Sequence, residues 1–221
     1  MPVYNGSIFE VNEAEMKRYA GMPPKSEVIP ASEIRSAANE ARALTEPRGI
    51  WQIYSYLPES GTILGDPPMT LKGSHIRRHL SKSYSVAVFA VTAGDAIGQA
   101  SDEHFAKGEY TRGLLLAGAA AAITEQLADQ VNDLISREAA RSGQKTAWRY
   151  SPGYGDWPVT QQAELVRLIG AEEIGVTVNS HSMLMPRKTV TAIIGLSACA
   201  QAPAPKRCSQ CSLRSCPFRS R

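Results

Sequence analysis

The stretch "RYSPGYGDWP", Arg149–Pro158, decides how this chain is read. Pro152 and Pro158 fix their backbone φ angles. Gly153 and Gly155 permit positive φ or a close backbone approach. A turn this stiff can present N–H and C=O groups to the edge of a small ligand. Tyr154 and Trp157 offer flat apolar walls, and Arg149 offers a planar fork for a carboxylate. The same composition also suits a packed turn whose aromatics fill a core, and the pattern alone leaves both readings open. A dinucleotide fingerprint is excluded, because Pro158 stands where the third glycine of G-x-G-x-x-G belongs. The chain also lacks a G-x4-G-K-[ST] phosphate loop and a G-x-S-x-G elbow.

The flanks of the stretch are ordered. Upstream, Asp95–Lys107 and Tyr110–Arg141 read as two helices, the second Ala-rich in its first half. Its apolar run "LLLAGAAAAI", Leu114–Ile123, is short of the roughly 20 residues that span a bilayer, so it predicts a buried helix. Downstream, a helix is expected from Pro158 to about Ile169, with Pro158 as its first residue. "SYSVAVFAVTAG", Ser83–Gly94, is almost continuously apolar and β-branched, which predicts a central strand covered on both faces.

"GIWQIYSYLP" and "KTVTAIIGLSA" are further strands, and "EIGVTVNSHSMLMP" carries another strand signal. Near the start, "GSIFEV" suggests a short strand. Asn12 and Glu15 then have capping-box spacing, and Ser32 is the expected N-cap of a helix running towards Pro47. The elements do not alternate as βαβ units and no repeat appears, so the fold class is α+β in one domain. His75 and His79 share a helix face, but Arg77, Arg78 and Lys82 beside them would repel a cation. They are expected to be surface histidines.

Hydrophobic residues make up 43% and charged residues 20% of the 221, as in an ordinary globular protein. The N-terminus has no basic start followed by an apolar core, so no signal peptide is expected and the predicted location is cytoplasmic. From Ile174 onward no acidic residue occurs, while seven are basic. Such a segment can dock an acidic protein, a phosphate or nucleic acid, or remain a solvated tail. All four cysteines lie here: Cys199, Cys208, Cys211 and Cys216. Secreted scaffolds spread their cysteines through the fold, and this chain does not. C-x2-C-x4-C, with Cys199 as a fourth ligand, could hold zinc or an iron–sulfur cluster. The alternatives are redox-active or simply reduced thiols.

The motifs taken together resemble a known family. "RYSPGYGDWP" is similar to the R-P-A-P-G-Y-x-x-x-P signature of the activation (reactivation) domain of cobalamin-dependent methionine synthase. "AAITEQLADQVNDLI" stands where the family has its A-E-x-x-A-E helix, and "VTVNSHSMLMPRKTVTAIIG" resembles its L-T-E-S-x-x-M-x-P-x-x-S-V-S-G segment. The similarity spans about Ser83–Gly195.

The resemblance implies a bent antiparallel sheet flanked by helices that binds S-adenosylmethionine over residues 1–197; the basic Cys-containing tail over 198–221 is read from composition. It implies that Arg149 binds the methionine carboxylate and that Ser151 and Gly153 offer backbone groups. Tyr154 would lie beside the ligand or the corrin, and Glu125 would face the groove. The implied activity is reductive remethylation of cob(II)alamin on a separate methyltransferase, with one electron from a flavodoxin- or ferredoxin-type donor. On this reading the chain acts in trans, and the cysteines serve as an electron entry point or a structural metal site. Two rival readings are a docking module for a corrinoid protein without methyl transfer, and a zinc-bearing tail for nucleic acid. The sequence departs from the family at Ser151, at Ser180 and at "RKTVTA".

Overall fold

A computed structural model defines the fold and describes residues 3–23 and 28–198. Its centre is three long antiparallel strands: β2 (Arg48–Leu57), β5 (Ser85–Thr92) and β9 (Thr189–Ser197), with β5 in the middle. On the far side of β2 lie β1 (Val3–Tyr4) at one end and β3 (Thr62–Ile63) at the other. β3 in turn pairs with β4 (Met69–Thr70). β6 (Lys145–Thr146) closes the opposite edge against β9. A separate ribbon pairs β7 (Thr177–Val178) with β8 (Leu184–Met185).

The register explains the two cores. Side chains alternate across a strand, and opposite residues of an antiparallel pair share a face. Phe89 stands opposite Ala192 and Ala87 opposite Ile194, and all four face the first core. Val88 opposite Ile193, and Val86 opposite Tyr54, face the second. Every residue of β5 from Val86 to Thr92 is buried, so the expected central strand covered on both faces is what forms.

The first face is covered by α1 (Glu13–Tyr19), α2 (Ala31–Ala43), α4 (Ala96–Ala106) and α5 (Tyr110–Arg141). α5 has 32 residues, about 48 Å at 1.5 Å each. Its small residues Ala119, Ala120 and Ala122 are buried, which lets neighbouring helices approach closely. The second face carries α3 (Ser74–His79), the 149–158 stretch, a 3-10 turn (Val159–Gln161), α6 (Gln162–Leu168) and a second 3-10 turn (Ala171–Ile174). The sheet is thus sandwiched between a long-helix layer and a layer of short helices and loops. Among the described residues no helix is long and apolar enough to cross a membrane.

Four local expectations change. The first strand is Val3–Tyr4 rather than the Ile8 region, and Ile8 and Val11 instead fill the first core without pairing. Asn12 does cap α1, accepting from the Glu15 N–H at 3.1 Å, but the Glu15 side chain turns to Arg18 instead of back to Asn12. α2 starts two residues earlier than a Ser32 cap requires. Pro30 takes the cap position, with no side-chain cap bond, because its own φ of −56° already suits a helix start. Pro158 likewise precedes the helix. Its ψ of 133° keeps it extended, and a 3-10 turn leads into α6.

Candidate functional site

The 149–158 stretch is pinned at both ends and exposed in the middle. At its start Tyr150 forms an isolated bridge with Ile193 of β9, exchanging N–H···O bonds of 2.9 and 2.8 Å. At its end Trp157 is 1% exposed, and its Nε1–H donates to Gln161 Oε1 at 2.9 Å. Gln161 is itself fully buried. Its Oε1 also accepts from the Lys72 N–H, and its Nε2 donates to the Thr70 carbonyl.

Asp156 makes the third anchor. Its carboxylate accepts from the Ser74 N–H at 2.7 Å, the Ser74 Oγ–H at 2.7 Å and the His75 N–H at 2.9 Å, so it caps α3 from 82 residues away. The Ser74 hydroxyl and the His75 N–H hold the acid ionised and lower its pKa to about 2.

Between the anchors the chain folds back on itself. The Gly153 N–H donates to the Trp157 carbonyl at 2.9 Å, and Tyr154 N–H to the Ser151 carbonyl at 3.1 Å. Both glycines have positive φ, 91° and 56°. A Cβ on Gly155 would lie 2.4 Å from Tyr150 Oη and 2.6 Å from His75 Nδ1, so this position needs glycine on two grounds. Gly153 and Tyr154 are exposed, Ser151 is half-buried, and Tyr154 packs edge-on to Tyr150.

The two aromatic walls therefore part company. Trp157 belongs to the core, whereas Tyr154 is 53% exposed. Behind the loop, Tyr150, Trp148 and His79 stack with ring centroids 4.4–5.5 Å apart. His79 is not the expected surface histidine: burial lowers its pKa, opposed by its bond to the Trp148 carbonyl. That bond puts the proton on Nε2, since a carbonyl only accepts. His75 does remain exposed.

Arg149 starts the loop on the side facing α5. Its guanidinium is shared by two carboxylates one helical turn apart, Glu125 Oε2 at 2.8 Å and Asp129 Oδ1 at 2.5 Å. Burial works against its charge, but the bonds and charge of Asp129 and then Glu125 outweigh this and raise its pKa. The structure thus pairs Arg149 with Glu125 and Asp129, while Ser151, Gly153 and Tyr154 follow Arg149 within the loop. Asp129, which the sequence reading passed over, is readable as the acid four residues after Glu125 on the same helix face.

Ser180 lies at the tip of the β7–β8 ribbon. There Asn179 Oδ1 accepts from the His181 and Met183 N–H groups, and Ser180 Oγ faces His181 Nδ1 at 3.3 Å. A surface cleft of about 520 Å³ lies elsewhere, lined by Glu33, His104, Glu109, Tyr110 and Arg112 among others. It contains no residue of the loop, and its acidic lining is Glu33 and Glu109, so it offers nothing to the chemistry considered for Arg149. Cys199, Cys208, Cys211 and Cys216 lie outside the described residues. Among the described residues no group of three or more His, Cys, Asp or Glu side chains is placed to hold a metal ion.

An α+β fold built on an antiparallel sheet between helices defines the class to which this arrangement corresponds. No protein-family model and no curated protein matches the chain. Among solved structures it is similar to the crystal structure of the MetH reactivation domain bound to AdoHcy. The TM-score is 0.64 and the identity 14%, over 91% of this chain and 79% of that one. At that identity the likeness establishes the shared fold.

Proposed function

We propose that the chain binds S-adenosylmethionine along the 149–158 loop and supports reductive remethylation of the corrinoid of a separate methyltransferase such as methionine synthase. One observation carries the reading. The stretch that resembles the family signature is held, on the fold of a domain solved with AdoHcy, as a rigid exposed loop beside the Glu125–Arg149–Asp129 cluster. AdoHcy is what S-adenosylmethionine becomes once its methyl group has been transferred.

Each residue has a defined part in this reading. Arg149 presents its fork to the ligand carboxylate, and Glu125 to the ammonium. Ser151 offers its backbone N–H, which meets no acceptor among the described residues. The Gly153 N–H is spent within the loop, so Gly153 contributes its carbonyl and the open space above it. Tyr154 lies beside the ligand or the corrin ring. The sulfonium is already a good methyl donor, so the work of the protein is positioning. An electron donor of the flavodoxin or ferredoxin class supplies one electron, and the sulfonium supplies the methyl group. Zinc or an iron–sulfur cluster at Cys199, Cys208, Cys211 and Cys216 belongs to the same proposal and is checked by metal analysis of the full chain.

Calorimetry with S-adenosylmethionine tests the reading. Binding by the wild type and its loss in Arg149→Ala are expected. A wild type that binds neither S-adenosylmethionine nor AdoHcy removes the proposal and leaves the docking-module reading in its place.

A further inference from the structure

We infer that Asp129, through its ion pair with Arg149, makes the cluster a charge filter that favours the methyl-bearing sulfonium ligand over the neutral thioether formed from it. The inference rests on the binding site proposed above. Two carboxylates, Glu125 and Asp129, share one guanidinium, so the cluster carries one net negative charge. The three side chains are 32%, 55% and 20% exposed for Glu125, Asp129 and Arg149, so the pair that fixes the sign is only partly screened by water.

S-adenosylmethionine and AdoHcy share their adenosine, ammonium and carboxylate and differ by the methyl group and one positive charge at sulfur. Any effect of Arg149 on the ligand carboxylate is therefore common to both. The ratio of the two affinities reads only the field at the sulfur. A net charge of −1 attracts the sulfonium and leaves the thioether indifferent, so transfer of the methyl group itself weakens the hold on the product. Without Asp129 the remaining Glu125–Arg149 pair is neutral and the preference disappears. Asp129 is a positioning and selectivity residue on this account: it holds Arg149 and sets the sign of the site.

The test compares the affinities of S-adenosylmethionine and AdoHcy for the wild type, Asp129→Asn and Asp129→Glu. Removing one partly screened charge from the site is expected to lower the affinity ratio about three- to eight-fold. Asp129→Asn is expected to show that fall, mostly as weaker S-adenosylmethionine binding, and Asp129→Glu to keep the wild-type ratio. Raising salt is expected to shrink the wild-type ratio and leave that of Asp129→Asn nearly unchanged. A wild-type ratio near one, or a ratio that Asp129→Asn does not move, overturns the inference while the binding site stands. Failure of the wild type to bind either ligand overturns the binding site, and the inference with it.

Discussion

Glu125 and Arg149 meet at 2.8 Å across the seam between the long helix and the loop, and Asp129 takes the other end of the same guanidinium. Arg149→Ala leaves two carboxylates facing each other one turn apart. Bonds to a charged group are worth about 1.5–3 kcal/mol, so ligand affinity measured by calorimetry is expected to fall about 10- to 100-fold. The fold should tolerate the change. The Arg149–Glu125 pair is part-buried, so its loss should cost about 1–3 kcal/mol, and thermal unfolding should shift down by roughly 2–12 °C.

Gly153 and Gly155 look equivalent in sequence and are expected to behave differently. A Cβ at Gly153 meets nothing nearer than 4.0 Å, so Gly153→Ala carries mainly the cost of positive φ, roughly 1–2 kcal/mol. At Gly155 the same methyl collides with Tyr150 Oη and His75 Nδ1 in addition. Denaturant midpoints should rank wild type above Gly153→Ala above Gly155→Ala. Equal midpoints for the two variants would show that the loop relaxes freely.

Trp157 and Gln161 form the buried hinge of the loop. Trp157→Phe keeps most of the volume and removes the Nε1–H donor, while the Gln161 oxygen retains the Lys72 N–H. A loss of about 1–2 kcal/mol is expected. Trp157→Ala opens a cavity as well and should cost about 3–5 kcal/mol. Equilibrium unfolding monitored by far-ultraviolet circular dichroism separates the two.

Asp156 gives the loop an acid-sensitive anchor. Its pKa, held near 2 chiefly by Ser74 and then His75, lies below the usual aspartate value of about 4. The stability it supplies is therefore complete above the unfolded value and disappears as pH falls from about 4 towards 2. Asp156→Ala should melt below the wild type at pH 6, with the gap closing on acidification. A gap that stays constant down to pH 2 would refute the cap.

Elements set by local pattern were legible. The apolar run of β5 declared a strand buried on both faces, and α5 runs from Tyr110 to Arg141 as its composition implied. Two-residue strands such as β3 and β4 are too short to carry a period and were not resolved as elements. The partnership of Asp156 with Ser74 joins residues 82 apart in the chain, and no local pattern contains it. Arg149 and its loop stood out by composition, whereas the role of Glu125 came only with the family resemblance. Asp129 was missed although it stands at the second acid of the A-E-x-x-A-E pattern, four residues after Glu125. His79 was misjudged because its basic neighbours argue for a surface, while the rings that cover it, Trp148 and Tyr150, arrive from about 70 residues downstream.

The cap on α3 also bears on the order in which the molecule assembles. A six-residue helix with no side-chain cap of its own cannot persist in isolation, where even helices of about 12–15 residues are marginal. Ser74–His79 is therefore expected to become helical together with its Asp156 contact. The amides of α3 should gain protection from hydrogen exchange late, together with those of the 149–158 loop and after those of β5. The loop and its neighbouring helix are thus expected to form together, as one cooperative unit.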